Sequence, residues 1–143
     1  MRAALVTLLG AAAFVAAGCG AVAHMTANSG DPARGKPLFK DNCGSCHTLA
    51  AAGTTGTVGP NLDDAFLYDK KQGFHISTIQ DVVRGQIAYA NTNTGAGPGG
   101  KKPPGVEYPG MPDNIVTGQD AEDVAAYVAK CAAVPDCNVA KAG

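Results

Sequence analysis

Apolar positions along this chain recur at helical spacing, and no run alternates as a strand would. Ile76, Ile79, Val83 and Ile87 lie on one helical face and predict a helix over residues 77–88, with Ser77 or Thr78 near its start. Val124, Tyr127, Val128 and Cys131 form a second stripe. Thr117 is its expected N-cap, Asp120 three residues on gives a variant capping box, and Pro135 ends the helix. Asp31-Pro32 marks a further start, with Asp as cap and Pro in the first turn, running to about Asn42. Gly35 and Phe39 share a face of that helix. Pro37 falls inside it, and because a mid-helix proline costs about 3 kcal/mol, a kink or late start is expected there. The pattern predicts an all-α domain of three to four helices with long loops. The stripes read as core.

The start of the chain follows different rules. Met1-Arg2 is basic, and residues 3–17 carry no charge, so this opening reads as an export signal. Ala16-Ala17-Gly18-Cys19 resembles a lipoprotein signal in which Cys19 is lipidated. Ala21-Val22-Ala23 fits an ordinary small-x-small cleavage site ahead of His24, and an uncleaved anchor is a third option. All three place the remainder outside the cytoplasm, in the periplasm or on the outer face of the cell membrane. The expected organisation is a signal or anchor over 1–23, a small polar tether over 24–30, a domain over 31–137 and a tail over 138–143.

Composition sharpens the picture. The 143 residues carry a formal net charge of −1, so no basic surplus neutralises a run of phosphates, which argues against nucleic acid as a partner. Hydrophobic residues make up 45%, but much of that is alanine; aromatics are 6%, Trp is absent and Gly numbers 19. Such small residues make a thin core, which implies that something large, apolar and not protein fills the middle.

Cys43-Gly44-Ser45-Cys46-His47 is a C-x-x-C-H run. Two thiols at this spacing reach two neighbouring haem vinyl groups as thioethers, and the adjoining imidazole ligates the iron, so the run signals c-type haem attachment. A thioredoxin-like dithiol needs a βαβ context that is missing here. A zinc site needs a second pair with metal-ligand spacing, which Cys131 and Cys137 do not supply.

With Gly35 and Phe39 before the motif, Gly59-Pro60-Asn61-Leu62 after it, Gly110-Met111-Pro112 late and Tyr127 in the last helix, the chain resembles the small monohaem class I cytochromes c of exported, bacterial type. The resemblance covers about residues 31–133. It implies the cytochrome c fold wrapped around one covalent haem c, with Gly35 admitting the last helix and Tyr127 packing there. It also implies that the Pro60 carbonyl orients His47, and that the sixth iron ligand is Met111. The residues themselves leave Met111 against His75, since Met1, His24 and Met25 fall in the signal or tether. Residues 91–110, rich in Gly, Pro, Thr and Asn, would cross one haem edge to deliver Met111.

The family's frequent Trp contact to a haem propionate must be replaced, with Tyr68, Tyr89 and Asn91 as candidates, and the doublets Lys70-Lys71 and Lys101-Lys102 read as solvated. Once haem takes two thiols and Cys19 is lipidated or removed, Cys131 and Cys137 remain for a disulfide in an oxidising compartment. The expected function is one-electron transfer with His/Met ligation, between a quinol-oxidising complex and a terminal oxidase or similar acceptor, without catalysis or a small-molecule substrate. The rival is a haem subunit of a larger membrane-associated oxidoreductase.

Overall fold

A computed structural model describes residues 29–90 and 110–139. Cys19, the proposed signal and most of the tether, Asn91, Lys101-Lys102 and most of the loop leading to Met111 lie outside those residues. In chain order the elements are α1 (Pro32–Asn42), β1 (Thr48–Leu49), a 3-10 turn (Ala50–Ala52), β2 (Thr54–Thr55), α2 (Leu62–Ala65), α3 (Leu67–Lys71), α4 (Ile76–Ala88) and α5 (Gly118–Cys131). The strands form one antiparallel pair with Thr48 opposite Thr55. The fold is all-α, with this two-residue ladder as a local turn device.

Helix α1 starts where its cap chemistry directs, with the Asp31 carboxylate accepting from Ala33 N–H at 2.8 Å. It does not start late at Pro37: one continuous helix runs through that residue. Packing overrides propensity here, because α1 lies along α5 for most of its length. The contact is close at Gly35, where a Cβ would run into the Asp123 carbonyl and the Tyr127 Cβ. One turn on, the Phe39 and Tyr127 rings meet at 5.9 Å between centroids, tilted by 57°. Both are fully buried.

Helix α5 departs from its expected cap. Thr117 occupies the N-cap position, but its side chain makes no capping bond, and Gly118 turns the chain through a φ of +56°. Asp120, free of the capping role, faces Arg34 across the surface at 3.6 Å. The helix is buried on more than its apolar stripe, from Ala121 to Ala129, because α1 covers one flank and α4 another. Two acids enter that burial with partners. Asp123 Oδ1 accepts from the Asp31 N–H at 2.8 Å and from Gln119 Nε2 at 2.9 Å, and its Oδ2 is ion-paired with Arg34 Nε at 3.3 Å. Glu122 accepts from Arg84 of α4 at 3.1 Å and from Ser29 at 3.2 Å.

Past α5 the chain reverses at Ala133, whose φ is +58°, and Cys131 and Cys137 are disulfide-bonded across the turn. Lys70 is not simply solvated: its Nζ donates to the Lys130 carbonyl at 3.0 Å, answering one of the open carbonyls at the end of α5. Among the described residues no helix is long and apolar enough to cross a membrane.

Two outcomes follow from this packing. Gly35→Ala is expected to destabilise the protein by about 1–3 kcal/mol through overpacking. That exceeds the gain of at most ~1 kcal/mol from Ala over Gly in a helix. Denaturant unfolding measures the difference. Tyr127 carries a buried hydroxyl that has no hydrogen-bond partner among the described residues, and burial, then the nearby Asp63 charge, push its ionisation up to about 12. The folded state therefore holds this proton more tightly than the unfolded chain, so the contribution is intact below pH 10 and is lost as pH rises from 10 towards 12. Tyr127→Phe should cost little at neutral pH and should flatten the decline in melting temperature above pH 10.

Candidate functional site

The C-x-x-C-H run is a tight turn fastened to the end of α1. The N–H groups of Cys43 and Gly44 both donate to Phe39 O, at 2.8 and 2.9 Å, and those of Cys46 and His47 donate to Cys43 O, at 3.1 and 3.0 Å. Both thiols are free, Cys43 buried and Cys46 half-buried. Burial first, then the neighbouring Cys46, pushes the Cys43 thiol up to about 11. A redox-active dithiol works through a depressed thiolate pKa. This turn does the opposite.

His47 follows directly, with Nδ1 at 2.9 Å from the Pro60 carbonyl oxygen. A carbonyl can only accept, so Nδ1 carries the proton and donates it, and Nε2 keeps its lone pair for a metal. Two glycines make the approach possible. A Cβ on Gly59 would fall on the His47 ring, and one on Gly56 would meet the backbone of Cys46 and His47. The Gly59 N–H donates to Cys46 O at 2.8 Å, and Thr48 Oγ1 donates to Gly56 O at 2.9 Å. Asn61 then starts α2 by accepting from the Asp63 N–H at 3.0 Å.

The structure brings Cys43, Cys46, His47 and Pro60 together. Met111 is half-buried and packs against the core group that contains Phe39, Leu49 and Val124. His75 is exposed at the N-cap position of α4, with no side-chain capping bond. Tyr68 and Tyr89 are 70% and 64% exposed. Among the described residues no group of three or more His, Cys, Asp or Glu side chains could hold a metal ion. Two free thiols beside an imidazole with one nitrogen committed and one open make the donor set that covalent haem requires, so the residues present fit that group.

Asp63 escaped the sequence reading. Its Oδ2 accepts from Ala50 N–H at 2.7 Å and its Oδ1 from Ala133 N–H at 2.8 Å. An acid in the first turn of a helix looks like ordinary dipole compensation, and nothing in the pattern singles it out.

Comparison with known proteins agrees with this chemistry. The family model for cytochrome c matches residues 32–132. A cytochrome c from Ulva intestinalis is 49% identical over 37 residues, which are 26% of this chain and 32% of that protein, so the match spans about a third of the relative's length. The c-type cytochrome SorU from Sinorhizobium meliloti is 31% identical, with 72% of this chain and 92% of that chain covered and a TM-score of 0.46. The chain belongs to the cytochrome c family. Its cofactor is covalent haem c, one group for a domain of this size.

Gly59→Ala tests the geometry under the ring. It is expected to cost about 1–3 kcal/mol in the haem-loaded protein, because the methyl group must displace the imidazole. Gly85→Ala is the control: it lies inside α4 with open space around it, so it should stabilise by about 0.5–1 kcal/mol. Parallel denaturant melts read both.

Proposed function

We propose that this protein is a one-electron carrier in which the Cys43 and Cys46 thiols hold the haem as thioethers and His47 Nε2 and Met111 supply the axial ligands. The observation that carries the reading is the His47 Nδ1 contact to the Pro60 carbonyl at 2.9 Å. That bond fixes the tautomer and the ring plane, and it leaves a single nitrogen with a lone pair. Bound haem supplies a one-electron ferric/ferrous couple, and a thioether ligand raises its potential.

The chain's own residues do the rest. Cys43 and Cys46 fix the haem's position and His47 its orientation. Met111, seated between Gly110 and Pro112, would be the second protein ligand to the haem iron and would keep small molecules from it. Haem held by both His47 and Met111 would supply one-electron transfer rather than substrate binding. We further read residues 1–23 as the export signal with Cys19 as the lipidated residue, 24–30 as tether, 31–137 as the haem domain and 138–143 as tail. In this reading the protein works on the outer face of the membrane, between a quinol-oxidising complex and a terminal oxidase or similar acceptor. Co-purification with a catalytic partner would instead favour the haem-subunit alternative.

Met111→Ala is the deciding variant. It should retain covalent haem, lose the sulfur-to-iron absorption band of the oxidised form, fall in potential and bind cyanide or carbon monoxide readily. His75→Ala should leave all four properties at wild-type values. Spectra of Met111→Ala that match the wild type would sink the His/Met assignment.

A further inference from the structure

Segments 46–50 and 59–63 run side by side in a single register. The Gly59 N–H donates to Cys46 O at 2.8 Å, His47 Nδ1 donates to Pro60 O at 2.9 Å, and Ala50 N–H donates to Asp63 Oδ2 at 2.7 Å. Each clasp joins residues 13 positions apart. A slip by one residue would bring the Gly59 or Asn61 carbonyl to the imidazole in place of that of Pro60.

The first two clasps use acceptors that every residue owns, so a slip towards Val58 could remake both; a slip the other way would set Pro60, which has no N–H, against Cys46 O. The third depends on a side chain found at position 63. The same carboxylate is braced from the other side, where Oδ1 accepts from Ala133 N–H at 2.8 Å in the turn closed by Cys131 and Cys137. Its two oxygens thus tie the segment that carries Pro60 both to the segment that carries His47 and to the end of α5.

We propose that Asp63 is a positioning residue for the axial imidazole, holding the Pro60 carbonyl in register with His47 Nδ1. This rests on the reading of His47 as an iron ligand. The chemical consequence follows from the bond it protects. A carbonyl accepting from Nδ1–H makes the imidazole a stronger donor, which favours ferric iron; a lengthened or broken bond weakens the donor and moves the potential up.

The test uses the haem-loaded full chain and two variants that break the clasp from opposite sides. Asp63→Ala removes the acceptor. Ala50→Pro removes the donor and leaves the Asp63–Ala133 bond in place. Proline is tolerated there, because Ala50 opens the 3-10 turn and Leu49 before it is already extended, at φ −150° and ψ 108°. Both variants should shift the midpoint potential upward and speed exchange of the His47 Nδ1 proton by roughly tenfold or more, read among the paramagnetically shifted proton resonances. Asp63→Asn, with one acceptor oxygen for two donors, should fall between them and the wild type. A lowered melting temperature with wild-type potential and exchange rate would make Asp63 a structural staple only and overturn the proposal. Should Asp63→Ala fail to load haem, Ala50→Pro decides on the same readouts. Absence of the His47 ring from the shifted resonances of the wild type would overturn the ligand reading itself, a result distinct from unchanged variants.

Discussion

The contact between His47 Nδ1 and the Pro60 carbonyl is the constraint on which the haem-attachment side of this fold depends. An imidazole has two nitrogens and rotates freely about its side-chain bonds unless one nitrogen is claimed. Here the claim comes from a backbone oxygen 2.9 Å away. Proline contributes twice to that arrangement. Its fixed φ stiffens the turn, and its missing N–H leaves the segment with one fewer backbone donor to satisfy. Gly59 then leaves room for the ring, because any side chain there would occupy the ring's own volume. Neighbouring details follow from bringing two loop segments this close: a glycine at 56 beneath the motif backbone, a threonine donating across the gap and a capping asparagine at the start of α2.

The turn needs a rigid support, and the α1–α5 pair provides it. Burial of Phe39 and Tyr127 contributes about 1.5–3 kcal/mol per large apolar side chain. The glycine at 35 is what lets the two helices come near enough to realise it. Because the haem motif leaves α1 within one turn of Phe39, its thiols inherit the position of that helix. Burying Asp123 at 0% exposure would be costly alone. It is offset by a backbone N–H, an amide and a guanidinium, and those partners belong to both helices and the chain before α1. The acid therefore selects one relative placement of the pair.

Much of this was legible in the residues, and the parts that were not share a cause. Cys43, Cys46 and His47 announce themselves because their chemistry forces a spacing. Gly35, Phe39 and Tyr127 could be paired in advance through the family resemblance, with helical periodicity giving the faces. The β1–β2 ladder left no trace, since two residues per strand are too few to alternate. Thr117 and Asp120 carried a capping pattern that the structure does not use, because Gly118 adopts a left-handed conformation and redirects the first turn. Pro37 suggested a kink or a late helix start; the late start does not occur, because tertiary contact along α1 outweighs one missing hydrogen bond. Asp63 was invisible for a different reason: its partners are backbone N–H groups at 50 and 133, and a backbone donor has no residue type to read.

That last point bears on how a chain so rich in alanine and glycine settles on one structure. Contact between small apolar side chains is non-directional, and an alanine-lined face packs almost as well after sliding by a turn. Large interdigitating side chains usually remove that freedom, but this chain has few of them. Directional bonds from short acids do so instead. Asp63 joins positions separated by 13 and by 70 residues, and Asp123 reaches 92 residues back to Asp31. An aspartate suits the role better than a glutamate, since its shorter side chain loses less rotamer entropy when fixed. A misregistered packing would keep most of the apolar burial and yet strand a carboxylate without its partners, at about 1–3 kcal/mol or more for each group left unpaired. Register in this fold is therefore decided by polar braces together with the close approach at Gly35, acting on an alanine-rich surface that by itself discriminates weakly.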